Sequence, residues 1–563
     1  MPNTTRTRTA QRKRPAASSK KVVAKRKESV IADHVGKYIL AIDLGTSSAK
    51  VALVSERGEV VGWEGEPLQL FLLPGGGAEQ DPEDWWTAVV KSAKRLLAKR
   101  LVPAEAVVAV CASTQGQGTV PVDLEGNCLT RCHIWLDARG AAFVRSRVGS
   151  GLAVAGYELV KLQRYLRLTG GAPSLSGKDR FGHMLFIKRE MPEVYAKTYK
   201  FLDVLDYIDL RLTGQFLTST DSVVGTWMTD NRNPGSIHYD PQLVRWGEID
   251  AEKLPNIRRS IDVLGPLKAE VADELGLGRD VKVVTGAFDI PAAAVGSGAA
   301  RDYEAHLYLG TSSWVGVHTP FMKTDLFHSM ASLPCANPDR FLLMAAQETA
   351  GGNLTFLRDN LLYHKDRLLG AVRPGDYFAA LNEVAADVPA GSRGLIYTPW
   401  LYGERAPVDD PWVRAGIHNL SLDSTRSDIV RAMLEGVAYN TRWIFVLAEK
   451  FCGRRLDAIN MVGGGASSDV WCQIQADVLN RTVRQVRDPV QSNAVGAAFI
   501  AWVGLGFIRF EDIPSLVRIQ KEYQPNPDHR KLYDGMYAEF LQLYKATHAI
   551  YGRLNSAGSP RGS

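Results

Sequence analysis

Cysteine is scarce in this chain of 563 residues. Its six cysteines form no C-x-x-C pair, and Cys128 and Cys132 have no second Cys or His pair that could complete a zinc site. This scarcity argues against a structural metal and favours reduced thiols, which predicts a cytoplasmic protein. A secretory signal is also excluded, because no apolar segment follows the basic N-terminus.

Long apolar runs and the two commonest phosphate-binding motifs are missing as well. Val107–Ala112 is typical of the longest uncharged apolar stretches, far below the roughly 20 residues that span a bilayer. No G-x-G-x-x-G follows a predicted strand, and the nearest approach to a P-loop, at Gly177-Lys178, has Ala172 and Asp179 where the motif needs Gly and Ser/Thr. The sequence therefore does not predict a membrane protein. Any phosphate must be bound by a loop other than a P-loop or a G-x-G-x-x-G turn.

Positive charge is concentrated at the N-terminus. Residues 1–30 hold ten Lys/Arg against one Glu, a balance of +9, whereas the whole chain carries +6. With almost no apolar residues, a tail over 1–36 is expected to be disordered. A solvated extension, a contact with nucleic acid or acidic surfaces, and an organellar transit peptide remain alternative interpretations of this tail.

Strand-like and helix-like segments alternate along the rest of the chain, which predicts the α/β class. We expect a first lobe over 37–265, a second lobe over 266–545 and a C-terminal tail over 546–563. Asp81-Pro82 is typical of a helix start, with Asp as the N-cap and Pro at the first helical position. Pro192–Leu212 is predicted to be helical, and Ala494–Val503 is predicted to be a last core helix.

One five-residue segment occurs twice. Leu44-Gly-Thr-Ser-Ser48 recurs letter for letter at Leu309–Ser313, and both segments lie between apolar strand-like runs. Coincidence among small residues is one interpretation. The other is one supersecondary unit used twice, in two similar lobes. A tight turn of Gly and hydroxyl residues exposes successive backbone N–H groups, which suits phosphate oxygens, so two such turns could hold one polyphosphate from both sides.

Two carboxylates and a glycine run complete the candidate chemistry. Asp43, two residues before Gly45, is placed to hold Mg²⁺, which prefers few protein carboxylates plus phosphate oxygens; the alternative is an acid that caps its own turn. Asp289 follows an apolar strand and could accept the proton of an alcohol during phosphoryl transfer, or could simply cap a helix. Gly463–Gly465 permits a flat ligand to lie close to the backbone, or forms a tight strand-to-helix turn.

Together these motifs resemble the FGGY family of carbohydrate kinases, in the actin-like ATPase superfamily, from about Tyr38 to Phe540. The resemblance implies two actin-like (ribonuclease H-like) α/β lobes that close over ATP, Mg²⁺ and a sugar in an interlobe cleft. The matching segments are Ile42–Ser48, Glu79–Trp86, Ile134–Arg139, Gly286–Asp289, Leu309–Ser312, Gly403–Pro407, Leu434–Val437 and Gly463–Ser467.

The resemblance also implies a role for individual residues. Asp289 would be the catalytic base and would contact the sugar, and Asp43 would serve the metal. The ATP-binding residues would be Gly45, Thr46 and Ser47 in the first turn, Gly310 and Thr311 in the second, and Gly464, Gly465 and Ala466 beside the adenosine. The sugar would lie against Gln115, Gln117 and Trp135.

The pattern is most similar to the xylulokinases, yet the predicted sugar pocket departs from theirs. Many of them read Ser-Gly-Gln-Met-His-Gly where this chain has Ser113-Thr-Gln-Gly-Gln-Gly118, and an amide usually stands where this chain has Ile290. We therefore expect an ATP-dependent kinase for a ketopentose, with D-xylulose the leading single substrate. L-xylulose, another ketose or a tetritol are the alternatives, and a degenerate sugar- or nucleotide-binding protein is the non-enzyme alternative. No membrane partner is expected, nucleic acid would bind through the basic tail alone, and a homodimer stays open.

Overall fold

The computed structural model of the chain describes residues 36–149, 153–363 and 375–555. Nearly all of the predicted basic tail, and residues 556–563 of the predicted C-terminal tail, lie outside the described residues.

The first large sheet has six strands, in the order β16-β17-β6-β1-β2-β3. Strands β1, β6 and β17 are parallel, and β2, β3 and β16 run antiparallel to their neighbours. The strands of this half of the chain are β1 (Tyr38–Leu44), β2 (Ser48–Ser55), β3 (Val60–Pro67), β4 (Phe71–Leu73), β5 (Gly77–Gln80), β6 (Val107–Thr114), β7 (Val120–Val122), β8 (Cys132–His133), β9 (Ala153–Val154), β10 (Tyr157–Glu158), β11 (Lys200–Leu202), β12 (Leu217–Ser219), β13 (Thr229–Asp230), β14 (His238–Tyr239), β15 (Asn256–Arg258), β16 (Val263–Pro266) and β17 (Lys282–Phe288).

The second large sheet has eight strands, in the order β20-β21-β22-β19-β18-β25-β26-β27. Strands β18, β25 and β26 are parallel, and β18–β19 is an antiparallel hairpin. The strands of this half are β18 (Ala305–Leu309), β19 (Ser313–Thr319), β20 (Lys323–Asp325), β21 (Met330–Pro334), β22 (Phe341–Gln347), β23 (Ile396–Thr398), β24 (Gly416–His418), β25 (Ala458–Val462), β26 (Thr482–Val486) and β27 (Ile519–Tyr523).

The two sheets share one topology. In each, three neighbouring antiparallel strands (β3-β2-β1 and β22-β19-β18) lie beside two parallel strands (β6-β17 and β25-β26), although β20 and β21 are inserted between β19 and β22 in the second. Both copies of Leu-Gly-Thr-Ser-Ser connect the first hairpin of their sheet, and their central residues form the turn. The interpretation of one supersecondary unit used twice is therefore confirmed, and so is the two-lobed α/β fold.

Helices cover the faces of both sheets. The described α-helices are α1 (Pro82–Ala98), α2 (Ala141–Val148), α3 (Leu159–Thr169), α4 (Arg180–Glu190), α5 (Pro192–Lys197), α6 (Val204–Thr213), α7 (Pro241–Gly247), α8 (Ala269–Leu275), α9 (Asp289–Gly296), α10 (Gly352–Phe356), α11 (Tyr377–Ala386), α12 (Arg426–Cys452), α13 (Asp469–Leu479), α14 (Ser492–Gly504), α15 (Ile513–Leu516) and α16 (Arg530–Asn555).

Asp81 caps α1 as predicted, its carboxylate accepting from the Glu83 N–H. The predicted helix over Pro192–Leu212 is wrong: β11 pairs with β7 and divides it into α5 and α6.

Helix α14 joins the two lobes. It packs against β1, β6 and α9 of the first lobe, although it follows strands of the second. At its crossing with α9, a Cβ on Gly296 would lie 1.8 Å from the Ser492 carbonyl oxygen, and a Cβ on Gly496 would lie 1.9 Å from that of Ala292. Glycine at both positions therefore lets the two helix backbones touch.

The predicted lobe boundary at residue 265 is wrong. It falls inside β16, which pairs with β17, and β17 pairs in turn with β6 in the middle of the first sheet. The first lobe therefore continues at least to the end of β17, because a strand cannot leave the sheet that satisfies its backbone hydrogen bonds. At the other end, α16 runs to Asn555, past the predicted start of the tail at 546.

Helix α6 buries an unusual acid. Neither carboxylate oxygen of Asp209 has a hydrogen-bond partner among the described residues, and its side chain is fully buried. Burial and the nearby charges of Asp206 and Asp221 raise the pKa of Asp209 well above its ordinary value. Because the folded chain then holds a proton that the unfolded chain releases above about pH 4, the stability falls as the pH rises.

We expect Asp209→Asn to stabilise the protein relative to wild type at pH 8, because a neutral amide needs no proton in this position. The gain should shrink toward pH 4, where the carboxyl is protonated in both states. Denaturant unfolding at both pH values measures it, with the exposed Asp423→Asn as the matched control. An equal or lower stability of the variant at pH 8 would contradict the argument.

Candidate active site

The candidate residues of the first lobe lie at one edge of its sheet. Strand register pairs Leu44 with Thr114 in the parallel neighbour, and Thr114 with Phe288 in the next. Asp43 stands one position before this row, while Gln115 and Asp289 stand one position after it. The structure therefore brings these three predicted residues together at the carboxyl end of the parallel strands, where α/β enzymes commonly bind ligands.

Asp43 is buried and bound on both sides. Its Oδ2 atom lies 3.0 Å from Lys50 Nζ, and its Oδ1 accepts from Asn493 Nδ2 at 3.3 Å. Lys50 is the register partner of Asp43 across the β1–β2 hairpin, and Asn493 belongs to α14. Sequence reasoning missed both residues: the hairpin spacing could have identified Lys50, but nothing local signals Asn493, which is 450 positions away.

Asp289 is the first residue of α9 and is not its N-cap. The cap is Phe288, whose own N–H donates to Asp221 Oδ2 at 2.9 Å. Burial raises the pKa of Asp289 to about 7, and the negative charge of Asp43 adds to the rise. A carboxylate with a pKa near the working pH is suited to accept a proton during a reaction.

The two Gly-Thr-Ser turns connect equivalent hairpins but close with different backbone hydrogen bonds, because Ser312 is equivalent to Ser47 and not to Ser48. Gly45 N–H donates to the Ser48 carbonyl at 3.0 Å, and Gly310 N–H donates to the Ser312 carbonyl at 2.9 Å. Among the described residues, no acceptor binds the N–H groups of Thr46 and Ser47, or the equivalent pair of the second turn. Each turn therefore offers two backbone donors to an anion, so these turns fit a phosphate chain.

The hydroxyl of Thr46 is already engaged. Its Oγ1 donates to Gln115 Oε1 at 2.9 Å and accepts from Trp135 Nε1 at 3.0 Å. Gln80 Nε2 donates to the Thr46 carbonyl at 2.8 Å and Gln80 Oε1 accepts from Gln115 Nε2 at 2.6 Å. The contacts available to a phosphate at Thr46 are thus those of its backbone, and Gln115 holds the turn from behind.

The glycine run lies beside the second turn. Strand β18 pairs with β25 in parallel, so Gly463 follows β25 next to Leu309. A Cβ on Gly463 would lie 2.8 Å from the Leu309 carbonyl oxygen, and the φ of Gly463 is +87°, which favours glycine. Gly464 is exposed and meets nothing within 4 Å, whereas Ala466 is buried in the core. Of the three predicted adenosine contacts, Gly464 and Gly465 are therefore the accessible ones.

A cavity of about 510 Å³ lies between the lobes. Its first-lobe wall includes Gln117 and Trp135, while Glu348, Tyr402 and Arg405 belong to the second lobe. The Arg405 guanidinium carbon lies 5.9 Å from the centre of the Trp135 ring. Two of the predicted sugar residues, Gln117 and Trp135, thus line a cavity to which both lobes contribute.

Gln115 and Gln117 differ in what they offer this cavity. Gln115 is 2% exposed and uses both ends of its amide inside the protein, so it is not among the cavity residues. Gln117 has a left-handed backbone (φ +64°), and its buried Oε1 has no hydrogen-bond partner among the described residues. The amide lies against Gly225, where a Cβ would come within 2.1 Å of Oε1, so Gln117 lines the cavity without an exposed acceptor oxygen.

A second group of potential metal ligands binds the guanidinium of Arg139 instead of a metal ion. Ligand atoms of Glu79, His133 and Asp137 lie within 4.8 Å of one another. Arg139 Nη2 contacts all three, at 2.7 Å from Glu79, 3.1 Å from His133 Nδ1 and 2.5 Å from Asp137. The guanidinium occupies the position a metal would take, so this group is structural. No helix in the described part of the chain is long and apolar enough to cross a membrane.

Comparisons with known proteins agree with this geometry. The sequence model of the FGGY family of carbohydrate kinases, N-terminal domain, matches residues 38–296, and that of its C-terminal domain matches residues 305–505. A xylulose kinase of Staphylococcus epidermidis is 26% identical over 92% of this chain and 98% of its own length.

Two solved structures from Lactobacillus acidophilus have a TM-score of 0.79 to this fold. One is a gluconate kinase, 26% identical, and the other a ligand-bound xylulose kinase, 25% identical; both alignments cover 92% of this chain and all of the solved chain. The resemblance predicted from the sequence is confirmed.

Proposed function

The chain belongs to the FGGY family of carbohydrate kinases, and on that premise we propose that it transfers the γ-phosphate of ATP to a hydroxyl of a ketopentose, with D-xylulose as the leading substrate. The observation that carries the proposal is the position of Asp289. Its carboxylate has a pKa near 7 at the edge of the sheet that also holds Asp43 and the first anion-binding turn.

The reaction assigns one task to Asp289. Its carboxylate accepts the proton of the acceptor hydroxyl while the hydroxyl oxygen forms a bond to the γ-phosphorus. The bond from that phosphorus to the β–γ bridging oxygen breaks, and ADP leaves with the bridging oxygen. In such a transfer most of the rate comes from positioning and electrostatic stabilisation. The exposed N–H groups of the two turns would supply that stabilisation from opposite lobes.

Kinases of this family use ATP, and we propose that Asp43 holds the accompanying Mg²⁺. The residues fit the ion, because Asp43 is a single carboxylate beside a turn that can supply phosphate oxygens, and Mg²⁺ prefers this ligand set. When bound, Mg²⁺ neutralises charge on the phosphates. We further assign Gly45, Thr46, Ser47, Gly310 and Thr311 to the phosphates through their backbone, and Gly464 with Gly465 to the adenosine.

The sugar assignment rests on the relatives and on the cavity. We place the sugar against Trp135 and Gln117, which line the first-lobe wall of the cavity. Ile290 next to the base is apolar and packs toward Leu342, so it offers no amide to the acceptor. L-xylulose, another ketose or a tetritol therefore remain the competing acceptors within the same proposal.

An ADP-release assay over a panel of acceptors tests the substrate. We expect D-xylulose to give the highest kcat/KM, by at least about tenfold over L-xylulose, D-ribulose, erythritol, glycerol and gluconate, because a site built to bind hydroxyls discriminates strongly by their placement. A higher kcat/KM for another acceptor would reassign the substrate and keep the kinase. No ATP consumption above background with any acceptor would contradict the kinase itself and favour a binding protein.

A cytoplasmic location also remains a proposal, and the free state of the six cysteines agrees with it. The basic tail and a homodimer remain predictions from the sequence.

A further inference from the structure

Tyr308 lies against the second anion-binding turn. It is the next-to-last residue of β18, two positions before Gly310, and it is partly exposed. A Cβ on Gly310 would lie 2.6 Å from Tyr308 Cε1 and 3.2 Å from its hydroxyl oxygen. Glycine at 310 therefore lets the phenol cross directly over the turn, with the Tyr308 hydroxyl close to Gly310.

The ring of Tyr308 is held in place by its neighbours. It stacks on Trp314, its partner across the β18–β19 hairpin, with ring centres 3.9 Å apart and planes 2° apart. Trp314 Nε1 in turn donates to His306 Nε2 at 3.2 Å, and burial lowers the pKa of His306 to about 3, so the imidazole is neutral and can accept. The orientation of the phenol is thus fixed before any ligand binds.

The strand that carries Tyr308 contacts the helix that begins at Asp289. Helix α9, which begins at Asp289, packs against β18 and β19, and Ile290 packs toward Leu342 of the same sheet. The charges of Asp43 and Asp289 also act on the phenol and, with burial, raise the pKa of Tyr308. With its pKa raised, the phenol stays protonated and remains a donor.

No described residue accepts a hydrogen bond from the Tyr308 hydroxyl. Buried or half-buried phenols generally find a partner, and this one is rigid, protonated and next to a turn whose Thr311 and Ser312 N–H groups have no acceptor among the described residues. A role in packing alone would need the ring and not the hydroxyl, and phenylalanine would serve it equally well.

We propose that the Tyr308 hydroxyl donates a hydrogen bond to a non-bridging oxygen of the transferred γ-phosphoryl group, as a catalytic residue beside Gly310 and Thr311. The inference rests on the proposed kinase function and deepens it. The Tyr308 hydroxyl would act where negative charge is redistributed during transfer. A preorganised hydrogen-bond donor at such a position stabilises the transition state much more than the ground state.

Tyr308→Phe tests the proposal, because it keeps the stack on Trp314 and removes the hydroxyl alone. We expect kcat to fall on the order of tenfold to a hundredfold, with the KM for the sugar within about twofold of wild type, as for the loss of one hydrogen bond to a charged group. Tyr303→Phe is the matched control, since Tyr303 lies against Arg454 at another cavity of the second lobe. It should leave both constants unchanged.

Binding of a phosphoryl-transfer mimic gives a readout independent of turnover. ADP with Mg²⁺ and fluoroaluminate, titrated in the presence of D-xylulose, should bind Tyr308→Phe on the order of tenfold more weakly than wild type, while ADP with Mg²⁺ alone should bind equally. Equal affinity for the mimic, or an unchanged kcat, would overturn the proposal. If wild type itself phosphorylates no acceptor, the kinase assignment fails instead, so the two failures are distinguishable.

Discussion

Replacing Asp289 by Asn is expected to lower kcat by about 10²–10⁴-fold while ATP still binds with near wild-type affinity. The loss has this size because the amide cannot accept the proton of the acceptor hydroxyl, and a positioned base contributes a factor of this order. The nucleotide-binding turns are untouched, since Asn keeps the shape of Asp at the start of α9.

Stability separates this result from misfolding. Because burial and Asp43 raise the pKa of Asp289 to about 7, folding loses stability as the pH rises from the unfolded value near 4 through 7. An amide removes that loss, so the variant should be at least as stable as wild type at pH 8. An inactive and equally stable Asp289→Asn identifies a chemical role.

The pH profile gives an independent test of the same base. The charged form of Asp289 is the acceptor, so wild-type kcat/KM for the sugar at saturating ATP should fall as the pH drops below the pKa of the base. The residual activity of Asp289→Asn should lack that limb. Normal turnover of the variant, or an unchanged acid limb, would show that another group takes the proton.

Much of this site could be predicted because its signals are local. A five-residue turn repeated between apolar runs predicted the duplicated hairpin, and the strand order of both sheets confirms it. The residues that follow paired strand ends, Asp289 among them, lie together because parallel strands end at one edge. Hydrophobic periodicity and turn chemistry suffice for such features.

The errors come from contacts that no local pattern encodes. The sequence of Pro192–Leu212 predicts one helix, but Lys200–Leu202 forms a strand that pairs with β7. The first lobe extends beyond residue 265 because β17 pairs with β6 in the first sheet, many residues after the other strands of that sheet. The amide of Gln115 is bound by Thr46 and Gln80, so the predicted sugar contact is not available to it.

Asn493 and Tyr308 show the same limit within the site itself. Asn493 contacts Asp43 from a helix far along the chain, and Tyr308 lies over the second turn, so both positions depend on how backbones approach each other. Asn493 reaches Asp43 because glycines at 296 and 496 let α9 and α14 touch. Tyr308 reaches the turn because Gly310 has no side chain. Such residues can be identified only when the structure shows which backbone segments contact each other.

Asp43→Asn is the second large effect that we expect. It should lower kcat by at least about a hundredfold and raise the Mg²⁺ concentration needed for half-maximal activity, since a bound cation supplies several kcal/mol of charge stabilisation. Asn is also a poor structural substitute here, because both neighbours of Asp43, Lys50 Nζ and Asn493 Nδ2, are donors. An amide can accept from one of them and must present its own N–H to the other.

A control separates the metal role from the tie between the lobes. Asn493→Ala removes the α14 contact but keeps the carboxylate, so it should lower the free energy of unfolding by about 1–3 kcal/mol and leave the Mg²⁺ dependence unchanged. Asp43→Asn should change both. If titration of activity with Mg²⁺ gives one midpoint for wild type, Asp43→Asn and Asn493→Ala, then Asp43 ties β1 to α14 and Lys50 without serving the ion, and the metal would have to be held through the phosphates alone.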